Sequence, residues 1–169
     1  MSYSQEEYVA KFGGIYEHSA WIAEASWLAA NSATDQLSNP LSSLEEVATS
    51  MAAVVDAASE EKQLRLIRAH PDLAGRIALA GELTVDSTTE QASAGLDQCS
   101  ETEFQKFLTL NQAYVEKFAF PFIMAVRNSN RHEILRSFEH RLNNTYAQEF
   151  ITAIEQIHRI ARLRLEQIL

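Results

Sequence analysis

The sequence predicts an all-α fold, a single-domain bundle of about eight helices spanning residues 1–169. Three observations carry that expectation. Apolar residues recur at helical spacing almost throughout. Only five glycines and three prolines occur in 169 residues, which argues for long regular elements. No Asn-Gly or Asp-Gly dipeptide marks a hairpin. There is no internal repeat and no low-complexity tract.

Ser4-Gln5-Glu6-Glu7 is a capping-box pattern, in which a serine hydroxyl and a glutamate three residues on satisfy each other's exposed amides. It opens a short helix to about Phe12, stopped by Gly13-Gly14. Residues 15–30 read as a second helix with Trp21, Ile22, Ala25 and Leu28 inward. After Asn39-Pro40, a second capping box at Ser43-Leu44-Glu45-Glu46 starts a helix carrying Leu44, Val47, Met51, Val54, Val55 and Ala58. Ser59 caps a shorter helix, with Leu64 and Ile67 inward, that delivers His70. Residues 72–80 make one or two turns ended at Gly81. Ser100 and Glu103 form another capping box, opening a helix with Phe104, Phe107, Leu108, Tyr114, Val115 and Phe118 on its buried side. Pro121 breaks that helix, because proline lacks a backbone donor. Residues 123–126 are apolar and ambiguous between helix and strand. Asn130 caps a helix striped by Ile134, Leu135, Phe138 and Leu142, and a last long helix runs from about Thr145.

Composition narrows the function. A hydrophobic fraction of 46% argues against disorder and supplies a real core at this length. The formal charge of −9, with no basic run to offset it, disfavours nucleic-acid partners. One cysteine, Cys99, rules out an intramolecular disulfide and fits a reducing compartment. The first residues lack the pattern of a signal peptide, and no apolar run approaches a membrane span, so the expectation is a cytoplasmic protein.

Chemistry concentrates between Ala69 and Leu96. His70 precedes Pro71, and a residue before proline is pushed toward extended geometry. An imidazole held by stiff backbone suits proton transfer near neutrality, and it suits a tight corner equally. Glu90 closes the capping box Ser87-Thr88-Thr89-Glu90, yet a carboxylate near a histidine also fixes its tautomer and favours its protonated form. Ser87 and Gln91 read as cap-region residues or as hydrogen-bond partners of a polar ligand. On the last helix, Phe150, Ile154, Ile157, Ala161 and Ile168 trace a stripe, and Arg164 falls in its gap. A guanidinium there pairs with a carboxylate, anchors a ligand, or snorkels at the stripe's edge. His18 lines a cavity or faces solvent, His132 and His140 sit on polar faces, and His158 lies opposite the stripe. No His-x-x-x-His spacing exists, although a mixed metal site from His70, Asp72 and Glu82 stays open on spacing. No phosphate loop or dinucleotide fingerprint is present.

His70-Pro71-Asp72-Leu73-Ala74-Gly75, then Gly81-Glu82-Leu83-Thr84, then Ser87-x-x-Glu90-Gln91-x-x-Ala94-Gly95-Leu96, resembles the signature of the OHCU decarboxylases. These enzymes act on 2-oxo-4-hydroxy-4-carboxy-5-ureidoimidazoline (OHCU) in uric acid breakdown. The likeness extends to the segment from Phe12 to Trp21, to residues 118–123 with their Phe-Pro-Phe, and to Ile160-Ala161-Arg162-Leu163-Arg164-Leu165. One departure is Ala20, where the family often has proline; it bears on the start or bend of the second helix.

The resemblance implies an all-α, cofactor-independent enzyme without a metal, usually a homodimer, whose partner is a small-molecule ureide. It puts the catalytic pair on His70 and Glu90. Substrate contacts fall on Pro71, Ser87, Gln91 and Arg164, and on the main chain around Phe120, Phe122 and Ile123. The implied reaction yields (S)-allantoin and CO2. Three rival readings follow from the same residues: a helical interaction module, a metal-dependent hydrolase of a cyclic ureide, and a decarboxylase tuned to another ureido acid.

Overall fold

The computed structural model of the chain describes residues 3–32, 43–73, 100–127 and 129–169. Among these residues there are seven helices and no strand: α1 (Gln5–Phe12), α2 (Trp21–Ser32), α3 (Leu44–Asp56), α4 (Glu60–Ala69), α5 (Glu101–Phe118), α6 (Arg131–Arg141) and α7 (Tyr146–Ile168). The all-α expectation therefore holds. The turns expected over residues 72–80 lie almost entirely outside the described residues. Two compact units are distinguishable, Met1–Ala69 with Ile157–Leu169, and His70–Gln156, so α7 contributes to both.

In the first unit, α1 starts as its capping box dictates. Glu7 donates its amide to Ser4 Oγ at 3.2 Å, and Ser4 donates its own to Glu7 Oε2 at 2.8 Å. The helix stops at Gly13, whose N–H donates to the Val9 carbonyl at 2.8 Å. The second helix begins later than the sequence suggests, at Trp21. Ile15, Tyr16 and Glu17 are all buried, and three consecutive inward side chains cannot share one helical face. His18 then reverses the chain with φ 44, in the left-handed region.

The buried face of α2 is Ile22, Ala23 and Ser26, while Leu28 is 49% exposed, contrary to expectation. Ser26 can sit inside because its hydroxyl is shared with Tyr8 Oη at 3.0 Å and Ser50 Oγ at 3.1 Å. Packing of α2 against α1 and α3 thus has a polar centre. On α3 the stripe reduces to Val47, Met51 and Val55. On α4, Leu66 and Ile67 are buried and Leu64 is half-buried.

In the second unit, α5 opens at the Ser100–Glu103 capping box and buries Phe107, Tyr114 and Phe118; Val115, expected inside, is 39% exposed. These spacings of seven and four make a narrower stripe than the sequence suggests. The helix stops before the proline can break it, with Ala119 in the left-handed conformation (φ 58) as C-cap. Residues 121–126 are neither helix nor strand, which settles the ambiguity of the apolar run. Asn130 caps α6 as expected, accepting from the amides of His132 and Glu133 at 3.1 Å. Phe122 stacks on Phe138 with centroids 3.6 Å apart, and Tyr114 meets both rings edge-on, which gives this unit an aromatic core.

On α7 the inward stripe is Glu149, Ala153, Ile154, Ile157, Ile160, Ala161, Arg164 and Leu165. Phe150 is half-buried and Ile168 is largely exposed, so Leu165 rather than Ile168 closes the stripe.

Candidate active site

α4 ends at Ala69, and the next residue is His70, fixed by Pro71. The His70 side chain is 6% exposed, so the corner turns its imidazole inward rather than into solvent. Two residues on, Asp72 Oδ2 accepts from Asn111 Nδ2 of α5 at 2.7 Å, which ties the His-Pro corner to the body of its unit. Leu73 is buried behind it and Pro71 is half-buried. A histidine placed so can hold or release a proton in a setting shielded from bulk water. Ser87, Glu90 and Gln91 lie outside the described residues, as do Glu82 and Cys99.

Arg164 is 7% exposed, which removes the snorkelling reading. Its Nη2 donates to Glu17 Oε1 at 2.6 Å and its Nη1 to the Ile15 carbonyl at 3.2 Å. Pairing with a carboxylate is thus observed, and a guanidinium held in this way presents a fixed planar fork that suits an acceptor group of a ligand. Sequence reasoning did not single out Glu17 as the partner. Its signal was an acidic residue amid the run Ile15-Tyr16-Glu17, in a chain whose buried arginine requires a counter-charge.

The same run binds α7 a second time. Tyr16 Oη lies 2.9 Å from His158 Nδ1, and His158 Nε2 lies 3.0 Å from Asp56 Oδ1. Burial, and secondarily the Asp56 charge, push the Tyr16 phenol well above its ordinary range. The phenol is therefore the donor to Nδ1 when the imidazole is neutral, and Nε2–H donates to Asp56. His158 is thus not opposite the stripe as expected: it bridges Tyr16 and Asp56 beside a cavity of about 300 Å³ that Thr49 and Arg162 also line. His18 lines another cavity of about 470 Å³, with Trp21, Lys62, Arg65 and Leu66.

Phe120, Phe122 and Ile123 come together in the second unit, all three buried. Because residues 121–126 have no helical or strand ladder, their main-chain groups need other partners. The Ile123 carbonyl accepts from Arg141 Nη1 at 2.6 Å, and Ala125 N–H donates to Gln156 Oε1 at 3.0 Å. Arg141 in turn donates to Glu149 Oε1 from Nε at 2.8 Å, with its Nη2 at 2.6 Å from the same oxygen. Its guanidinium carbon lies 4.3 Å from the centroid of the Phe122 ring. Arg141, Glu149 and Gln156 went unnoticed in the sequence. Arg141 follows Phe138 by three, and Glu149 precedes Ala153 by four, so both fall on inward stripes where apolar residues are expected.

Among the described residues no group of three His, Cys, Asp or Glu side chains is placed to hold a metal ion, and no helix is long and apolar enough to cross a membrane.

Comparison with known proteins places this geometry. Residues 1–166 match a family model described as OHCU decarboxylase. A relative from Haloferax volcanii, named 2-oxo-4-hydroxy-4-carboxy-5-ureidoimidazoline decarboxylase, is 43% identical over 162 residues, covering 96% of this chain and 89% of its own. A crystal structure of (S)-allantoin synthase superposes with a TM-score of 0.76 at 35% identity, covering 99% of this chain and 51% of that one, so the present chain spans about half its length. A structure of OHCU decarboxylase in the presence of (S)-allantoin shares the fold, with a TM-score of 0.63 at 18% identity over 98% of this chain and 97% of that one. A match over almost the full length, with a relative this similar across nine-tenths of its own chain, leaves one assignment: the chain belongs to the OHCU decarboxylase family.

Proposed function

We propose that this chain is a carboxy-lyase that converts OHCU to (S)-allantoin and CO2 in uric acid breakdown. The observation that carries the proposal is the family match over residues 1–166, shared with relatives named for that reaction. The buried His70 at its rigid corner and the buried Arg164 fit the chemistry.

The bond between the ring carbon and its carboxylate breaks, CO2 leaves, and the electron pair enters the conjugated imidazoline. The ring nitrogen that receives the pair takes a proton, the hydroxyl-bearing carbon becomes a carbonyl as its O–H proton departs, and the neighbouring ureido-bearing carbon takes a proton on one face. The substrate supplies its own electron sink, so the protein's part is to orient the carboxylate, stabilise developing charge and manage these three proton movements. His70 is the proposed proton carrier and Glu90 the carboxylate that positions it. Arg164, its fork fixed by Glu17, clamps an acceptor group of the ligand. Pro71, Ser87 and Gln91 help to fix the pose, and the main chain around Phe120, Phe122 and Ile123 meets the ureide's donors and acceptors.

The reading extends to a cytoplasmic homodimer that needs no metal or organic cofactor. Light scattering of the purified chain checks the dimer, and chelator in every assay checks the metal independence.

OHCU generated in situ from urate by the two preceding reactions, followed by circular dichroism, tests the activity. Rapid appearance of the (S) signal, lost in His70→Ala, is expected. Near-normal turnover by a folded His70→Ala protein sinks the assignment of His70. A wild type that merely matches the spontaneous racemic background sinks the substrate.

A further inference from the structure

We infer that Arg141 is a positioning residue for this reaction: held by Glu149, it fixes the main chain of residues 120–125 in the orientation that meets the ligand. The inference rests on the proposed function, and it concerns groups that the proposed chemistry does not itself use.

The segment after α5 belongs to the proposed binding surface in the second unit and is main chain without a helical or strand ladder. Two side chains hold it. Arg141 Nη1, from the end of α6, donates to the Ile123 carbonyl at 2.6 Å. Gln156 Oε1, from α7, accepts from the Ala125 amide at 3.0 Å. A peptide unit is planar, so fixing one of its two polar groups fixes the direction of the other, which points the opposite way. The two anchors therefore set both peptide planes that flank Met124. The Phe122 ring, stacked on Phe138 and covered by the Arg141 guanidinium, fixes the residue before them.

Arg141 is itself over-determined. Glu149 is fully buried and accepts from Arg141, from Asn144 Nδ2 at 2.7 Å and from the Tyr114 hydroxyl. Burial, with the Glu149 hydrogen bond second, keeps the Tyr114 phenol far above its ordinary range, so it remains a donor to that carboxylate. A buried ion pair adds little that well-packed apolar side chains could not supply. What a methionine at residue 141 could not do is hold a carbonyl and a carboxylate at once from one rigid fork.

The experiment uses the full-length protein with OHCU generated in situ, and pairs thermal unfolding with KM and kcat for Arg141→Lys and Gln156→Met. Lysine keeps the charge beside Glu149, but its single ammonium cannot span both acceptors in the same geometry. Gln156→Met releases the other anchor without touching the ion pair. KM should rise about tenfold in each folded variant, with kcat changing less, since a displaced main chain weakens the grip on substrate. A purely structural role predicts a lower Tm with KM unmoved. If Arg141→Lys fails to fold, Gln156→Met decides. An inactive wild type means that the proposed function is wrong. An active wild type, with both variants folded and at its KM, overturns this inference alone.

Discussion

The Glu17–Arg164 pair offers the most demanding test of how the first unit is built. Both side chains are nearly inaccessible, at 6% and 8% exposure, and their charged atoms lie 2.6 Å apart. Removing the carboxylate in Glu17→Ala leaves a buried guanidinium without this counter-charge. Breaking such a pair costs about 3–5 kcal/mol. The Ile15 carbonyl still accepts one N–H, so the lower end, about 3 kcal/mol, is the expectation. For a chain of this length each kcal/mol shifts Tm by about 2–4 °C, which gives a fall of about 6–12 °C.

Glu17→Gln keeps a hydrogen-bond acceptor while losing the charge, and should fall roughly midway. The double variant Glu17→Met with Arg164→Met removes both charges, and should be more stable than Glu17→Ala, with a coupling of about 1–3 kcal/mol across the cycle. Thermal and urea unfolding at one pH of the wild type, Glu17→Ala, Glu17→Gln, Glu17→Met, Arg164→Met and the double variant measures this. A Glu17→Ala cost below about 1 kcal/mol, the value of a solvated surface pair, would refute the reasoning, because it would mean that water reaches the guanidinium.

Further outcomes follow from other sites. The Glu103 carboxyl is held down to about 2 by the Ser100 amide first and by Arg131 next. A depressed carboxylate contributes fully above its ordinary value of 4.5 and loses that contribution as pH falls toward 2. The Tm gap between wild type and Glu103→Gln should therefore narrow across that interval; a gap independent of pH counts against it. At Gly13, an added Cβ would stand 2.6 Å from the Val9 carbonyl oxygen, a backbone atom with little room to move. Gly13→Ala should cost about 1–3 kcal/mol by thermal unfolding, and an unchanged Tm would show that the end of α1 can open.

Three of the capping boxes, at Ser4, Ser43 and Ser100, were legible because each is a local device: donor and acceptor lie three residues apart, and no distant chain decides whether they meet. Periodicity located every described helix for a similar reason. It located their buried faces less well. Leu28 and Val115 are apolar residues at helical spacing that the tertiary structure leaves at the surface, while Ser26 sits inside because Tyr8 and Ser50 satisfy its hydroxyl. Binary patterning counts apolar residues, whereas burial depends on which neighbouring helix covers them.

Arg164 could be picked out of the last stripe as a charge needing an explanation, and His70 as a titratable group on rigid backbone. Neither observation named a partner. Glu17 lies 147 residues before Arg164, and Arg141 reaches a carbonyl 18 residues back and a carboxylate eight residues on. Short-range chemistry, meaning the caps, the helical period and the family signature, was determined by the sequence itself. The pairing of buried charges, and the main chain they hold, was decided only by the tertiary structure, because desolvation and ion pairing depend on distance in space and not on separation along the chain.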